Sequence, residues 1–356
     1  MSNKLNYSMS LAKPDAQNLS MIQKIAVFLG VAGLFIMILA LLNVDFPNKA
    51  IFLTLSLGLI IIGTVIFSRD AYLKKTEGIK NDGVWFKSIS SKGILGWATG
   101  IVLTGFYIVL YFYAELLGQG SNGEANTGVI SLFDPLSQLL SGRPASQWFV
   151  YGTLYTVAIL AFGYKFMLKY RHNRYEQLRT ASVMFFQLGF AFLIPEFMAR
   201  LNESPQYNLP YYDLKSMWPL NYYLFDSWSI NGFLSSGNLG LLMLLFGVIS
   251  IFVISPILTY KYGKRWYCSW VCGCGALAET AGDSFRQLSS KKLSAWKLER
   301  WLIHTVLVFS LIMTIAIIYS YLGSDPDKYW LTRPVFLISI GVFLTLVFDV
   351  AIKEYF

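Results

Sequence analysis

Charge is scarce in this chain. Only 14% of its 356 residues are Asp, Glu, Lys or Arg, against 55% hydrophobic, whereas a soluble domain carries about 25% charged residues. A mean hydropathy of +0.51 agrees, and together these values exclude a water-soluble globular protein. Histidine is rarer still. His172 and His304 are the only two, and they lie on distant parts of the chain, which excludes a convincing bis-histidine haem pair. Cysteine is absent except from one stretch, which holds Cys268, Cys272 and Cys274. Thiols confined to one cluster exclude a disulfide framework and suit a compartment that keeps them reduced. No internal repeat stands out.

What is present is a series of mostly apolar runs of about 17 residues or more, long enough to cross a hydrocarbon layer of about 30 Å. They predict an all-α, polytopic transmembrane helix bundle of about eight spans. The spans fall near 22–43, 50–68, 93–116, 148–168, 181–200, 238–260, 301–322 and 334–350. Residues 1–21 read as a polar cytoplasmic leader. No small-residue cleavage site follows the first span, so it reads as a retained helix rather than a signal peptide. The organisation is then a six-span region over 22–260 with outward loops at 117–147 and 201–237. A cytoplasmic, cysteine-rich loop with a basic segment follows at 261–300, then the last two spans and a short cytoplasmic end at 301–356.

The net charge of +9 points to membrane topology, not to nucleic acid. The segments on one side of the bundle carry 23 of the 29 Lys and Arg, and the other side carries six. Such a bias sets orientation. It puts both termini and all three cysteines on the cytoplasmic side of the cell (inner) membrane. The outward loop 201–237 is crowded with Tyr and Trp. It reads as an interfacial aromatic belt, with a docking surface for an extracytoplasmic partner as the functional alternative.

The cysteine spacing is Cys-x3-Cys-x-Cys. On a regular helix, at about 100° per residue, Cys268 and Cys272 share a face and Cys274 lies about 200° away from Cys272. One helix cannot aim three sulfurs at one centre. Gly273 and Gly275 flank Cys274 and permit positive φ, so the spacing suggests a helix end opening into a glycine loop that folds Cys274 back. Amides in such a loop can donate to a thiolate or sulfide. Soft thiolates select zinc, Cu(I) or iron–sulfur clusters. A structural zinc site needs four ligands and no His lies near. A four-iron cluster usually takes four Cys, and three are supplied, so the ligand set is incomplete in this chain. Three buried, inert cysteines at a helix end are the bland alternative. Lys264, Arg265 and Arg286 flank the stretch, either as cytoplasmic anchors or as charge compensation for an anionic cluster. Trp266 and Trp270 read as interfacial anchors.

The run Gly263-Lys-Arg-Trp-Tyr-Cys-Ser-Trp-Val-Cys-Gly-Cys-Gly-Ala-Leu-Ala-Glu279 resembles the membrane polyferredoxin family that includes NosR and NapH, over about 260–300. Arg265, Cys268, Cys272, Gly275, Ala276, Leu277 and Glu279 match its signature, and Trp270 and Val271 fit its Trp-aliphatic pair. Gly273 stands where the family has Pro, and Cys274 is an additional thiol. The family's second Cys-x3-Cys-Pro, its ferredoxin-like domain and the periplasmic flavin-attachment domain of the NosR branch are not seen in this sequence. The chain therefore resembles the membrane half of such a protein. The resemblance implies a 4Fe-4S cluster at Cys268, Cys272 and Cys274, and electron transfer between a membrane donor of the quinol class and a redox partner complex. Other redox subunits are the partners it implies. The chain would be an electron-transfer subunit of an oxidoreductase complex, not a stand-alone enzyme.

Charges inside a membrane are costly, so ionisable residues there are functional candidates. Glu196 follows Pro195 in the fifth span, and Arg200 stands one turn on, able to pair with it at i, i+4. A quinone or proton role and a structural hydrogen bond are both open for them. His304, one turn into the seventh span, is a candidate proton relay or simply a satisfied helix contact. His172 reads as solvated, and Asp349 as a partner for Lys353. Two other functions stay open on the residues alone: a metal-handling factor binding Cu(I) through Cys272 and Cys274, and a transporter with regulatory thiols, hinted at by Pro195 and Pro256.

Overall fold

A computed structural model describes residues 19–73, 94–120, 124–201, 227–263, 266–283 and 292–322. Every regular element among them is helical. The elements are α1 (Met21–Leu41), α2 (Lys49–Tyr72), α3 (Ile94–Phe112), α4 (Gly128–Ser141), α5 (Gln147–Lys169), α6 (Arg174–Phe185), α7 (Ile194–Leu201), α8 (Ser227–Ser235), α9 (Gly237–Ile249), α10 (Ser255–Tyr262), α11 (Trp266–Trp270), α12 (Gly273–Thr280) and α13 (Leu293–Leu322).

Five helical stretches are long and apolar enough to cross a membrane: Met21–Leu41, Lys49–Tyr72, Gln147–Lys169, Arg174–Arg200 and Gly240–Tyr262. They answer to the first, second, fourth, fifth and sixth expected spans. Large side chains such as Phe28, Phe35, Leu242 and Phe252 stand exposed on them, as helix faces turned to lipid require. The third expected span forms α3, whose apolar part runs over Gly100–Phe112. The eighth, 334–350, lies outside the described residues, as does most of the 201–237 loop. The chain divides into two compact units, residues 1–286 and 287–356, and α13 is the described part of the second.

Local chemistry starts and bends these helices. Ser20 caps α1 by accepting from the Gln23 amide at 3.1 Å, while the Gln23 side chain accepts from the Ser20 amide at 3.3 Å, a reciprocal capping box. Asn48 caps α2 through the Ile51 amide at 3.3 Å. The fifth and sixth spans each carry a π-helical stretch, Phe186–Leu193 and Ser250–Ile254, just before Pro195 and Pro256. A proline ring clashes with the carbonyl four residues earlier and has no N–H to donate. Widening the preceding turn to the π form relieves that clash.

One apolar core joins the C-terminal end of α1, the start of α2, α3, α4 and the start of α5. Ile130, Leu132, Phe133, Val150 and Leu110 are fully enclosed in it. Helix α4 sits within the stretch read as the outward loop 117–147. Asp134 holds it in place by accepting from the Asn126 amide group at 2.7 Å and the Ala145 backbone at 2.8 Å. This core occupies the Gln147 end of α5 and leaves the Lys169 end to the cysteine stretch.

Candidate metal centre

After α10 the chain turns at Gly263, whose φ of 88° needs the freedom of glycine, and makes two short helices. α11 carries Cys268. The chain extends at Cys272 (φ −74°, ψ 124°), and α12 begins at Gly273 with Cys274 in its first turn. The thiols thus sit at the tip of a helix–break–helix hairpin. The expected glycine loop is not how the chain turns: neither Gly273 nor Gly275 has a positive φ.

The two glycines serve close approach instead. A Cβ on Gly275 would stand 2.0 Å from the Cys268 carbonyl oxygen, so this position lets α12 fold onto α11. A Cβ on Gly273 would stand 2.6 Å from Gln187 Oε1, 2.7 Å from Tyr155 Cε1 and 2.9 Å from Ile159 Cδ1. The tip is therefore pressed against α5 and the π stretch of the fifth span.

Contacts along α5 give the depth. Near the base of the hairpin, Asp283 pairs with Lys169 and accepts from the Tyr170 hydroxyl at 3.1 Å, all of it buried. The tip meets α5 at Ile159 and Tyr155, ten and fourteen residues from Lys169. At 1.5 Å per residue that is about 15–21 Å along a helix about 34 Å long. The segment read as a cytoplasmic loop thus includes a hairpin that enters the bundle about halfway.

Polar contacts hold it there. Ser182 donates to the Trp270 carbonyl at 2.8 Å, and the Trp270 ring meets Tyr175 edge-on at 5.7 Å. Arg179 bridges Glu279 at 2.7 Å and Glu176 at 2.5 Å. Ala276 is buried against Ile159 and Val183. Among the matched signature residues, Gly275, Ala276 and Glu279 thus each have a packing reason: backbone approach, a small buried side chain and an ion pair.

The sulfurs differ in setting. Cys272 is half-buried, while Cys268 and Cys274 are exposed. The Cys274 thiol donates toward Cys272 and, with the amides of Gly275 and Cys274 in the first turn of α12, holds Cys272 well below the usual thiol value, at about 5, although burial pushes the other way. The same contact, with burial, pushes the Cys274 thiol up, and Tyr155 opposes this. Burial raises the Tyr267 phenol, and the charges of Cys272, Cys268 and Cys274 add to that shift. Among the described residues no three His, Cys, Asp or Glu gather closely enough to hold a metal ion. Cys272 and Cys274 act on each other, and Cys268 does not complete a three-ligand group with them. In kind, the donor set fits a thiolate-bound group that is soft and needs amide donors. In number it stops at three.

Glu196 and Arg200 lie apart from the thiols. Gln187 donates to Thr156 at 3.1 Å and Phe192 packs on Phe149 at 5.7 Å, so Glu196 and Arg200 lie further along, toward the Gln147 end of α5. Nine residues separate Gln187 from Glu196, about 13 Å of helix. The Arg200 guanidinium donates to the Leu139 carbonyl. His304 Nδ1 shares a 2.6 Å hydrogen bond with the Arg300 carbonyl, one turn back in α13. Lys264, Arg265 and Arg286 lie outside the described residues. The structure adds Tyr155, Gln187 and the Lys169–Asp283 pair, which the sequence reading left out. Gln187 did carry a signal, as an amide inside an apolar run eight residues before a proline.

No curated protein and no solved structure matches this chain. Residues 244–295, from the sixth span through the hairpin to the start of α13, match the sequence model of a family described as a 4Fe-4S binding domain. The thiol tip at the centre of that segment is thereby similar to iron–sulfur sites, which supports an electron-transfer role.

Proposed function

We propose that this chain is a membrane-embedded iron–sulfur electron carrier. Cys268, Cys272 and Cys274 hold a 4Fe-4S cluster at the hairpin tip, and its fourth ligand comes from beyond them. The observation that carries the reading is the coincidence of the 4Fe-4S match with the only thiols in the chain, folded into one re-entrant tip. When bound there, such a cluster supplies one-electron storage. The protein contributes binding through the thiolates. Amides of α12 aimed at Cys272 offset negative charge. Packing against Tyr155, Ile159 and Gln187 limits water on one side.

Electrons pass between a quinol-class membrane donor and a redox partner complex. A tip halfway along α5 lies closer to membrane-borne donors than a surface loop would. The charge bias of 23 to six supports a cytoplasmic base for the hairpin and both termini on that side. Lys264 and Arg265, which flank the thiols in sequence, compensate cluster charge, and Glu196, Arg200 and His304 remain the candidates for quinone or proton handling. The aromatic 201–237 loop is the candidate surface for an extracytoplasmic partner.

A second reading follows from the convergence of Cys272 and Cys274 alone. Two thiols suit Cu(I), which would make the chain a metal-handling factor. Anaerobic purification with iron, acid-labile sulfide and copper analysis separates the two. The carrier reading expects iron and sulfide in equal amounts, both lost in Cys272→Ser. Copper without sulfide would establish the second reading and end the first.

A further inference from the structure

The wall behind the thiol tip contains a buried tyrosine hydroxyl. Tyr155 Oη is buried and has no hydrogen-bond partner with full geometry among the described residues, yet it lies beside the Cys274 sulfur. Leaving a buried hydroxyl unpaired is unfavourable, and native structures rarely do so without a reason. The ring is fixed on both sides. The Tyr151 ring packs on it at 5.3 Å with a 30° tilt. The bare Cα of Gly273 faces it so closely that a Cβ would come within 2.7 Å of Cε1. The hydroxyl therefore has little room to turn elsewhere.

The two sulfurs have different donors. The amides of Cys274 and Gly275 face Cys272. The Cys274 sulfur is met by its own backbone amide and by the Tyr155 hydroxyl. A phenol can donate one proton, and a thiolate accepts. A bond from a neutral donor to an ionised acceptor is stronger than one between neutral groups.

We propose that Tyr155 is a positioning residue for the thiol site: its hydroxyl donates a hydrogen bond to the Cys274 sulfur when that sulfur ligates metal, and this bond raises the reduction potential of the group held there. The inference rests on the iron–sulfur reading for the identity of that group. Its physical basis is general. Reduction adds negative charge to a cluster and its thiolates, and a donor aimed at a ligand sulfur stabilises the more negative state.

Tyr155→Phe keeps the ring and its packing and removes only the hydroxyl. In an EPR-monitored redox titration of the purified, cluster-loaded protein, the variant is expected to titrate at a more negative potential. A tenfold change in the reduced-to-oxidised ratio corresponds to about 59 mV for one electron. Tyr164→Phe, nine residues further along α5 toward Lys169, is expected to titrate as the parent does. The same proteins are also loaded with Co(II) in place of iron. The sulfur-to-cobalt charge-transfer band is expected at longer wavelength in Tyr155→Phe and unmoved in Tyr164→Phe. An unshifted band and an unshifted potential in Tyr155→Phe would overturn the proposal. A parent protein without iron and sulfide would instead reject the carrier reading, and the cobalt band would still decide the role of Tyr155.

Discussion

The α1–α2 hairpin and the α11–α12 hairpin both bring backbones into contact at glycines. In the first, a Cβ on Gly33 would lie 2.6 Å from the Ser56 carbonyl oxygen, and one on Gly63 would lie 2.6 Å from that of Ala26. Ser56 donates to the Gly33 carbonyl at 2.7 Å, and the facing surfaces are otherwise mostly apolar. This is small-residue packing of the kind that joins helices in lipid. In the second, the glycines work alongside a buried ion pair, an Arg–Glu bridge and a serine-to-carbonyl bond. Buried ions are costly to desolvate and add little net stability over apolar packing. Their concentration along the hairpin, from its base at Asp283 to Trp270, therefore points to positional constraint: the polar contacts fix where the tip stands against α5.

Asp283 separates the two hairpins most sharply. Asp283→Ala leaves the Lys169 ammonium buried without this carboxylate, and removing one partner of such a pair costs about 3–5 kcal/mol. An SDS unfolding titration in bicelles should show that loss together with loss of bound iron. The double variant Lys169→Met, Asp283→Leu should recover most of the stability. If it also recovers no iron, the pair positions the tip; if iron returns fully, the pair is only a structural filler.

Glycine gives the next effect and the cleanest contrast. Gly275→Ala and Gly63→Ala both force a methyl against backbone oxygen. Overpacking of this kind costs about 1–3 kcal/mol, with Gly275 at the upper end because its contact is 2.0 Å against 2.6 Å. Gly275→Ala should lose iron. Gly63→Ala should lower thermal stability with iron content unchanged. Equal iron loss in both would erase the distinction between the hairpins. The smallest effect is expected for Ser182→Ala, which removes one hydrogen bond to Trp270, worth about 0.5–1.5 kcal/mol. The unfolding titration should register it with the iron content intact.

Hydropathy made the spans at Met21–Leu41, Lys49–Tyr72 and Gln147–Lys169 legible, because a run of that length has few other uses. Helix α4 was not legible. Its apolar part, Val129–Phe133, is short and follows residues rich in Gly and Asn, which reads as loop chemistry. Gly273 and Gly275 were rightly singled out, but for the wrong property. A glycine can supply positive φ or a missing Cβ, and only the approach of Cys268, Tyr155 and Gln187 shows that the second is used here. Tyr155 had no signal of its own among 22 tyrosines. Its place beside Cys274 is a product of the hairpin's depth, and nothing local in the sequence encodes that depth. The prolines were legible as helix breakers, but the widened turns before them were not.

Whether the thiol tip holds an iron–sulfur cluster is decided by the Mössbauer spectrum of the ⁵⁷Fe-enriched protein, purified anaerobically and alone. Three thiolates on a four-iron cluster leave one iron with a different ligand. The expected spectrum has three similar irons and one distinct iron, and it disappears in Cys272→Ser. A spectrum with no cluster-type iron in the anaerobic parent protein would contradict it.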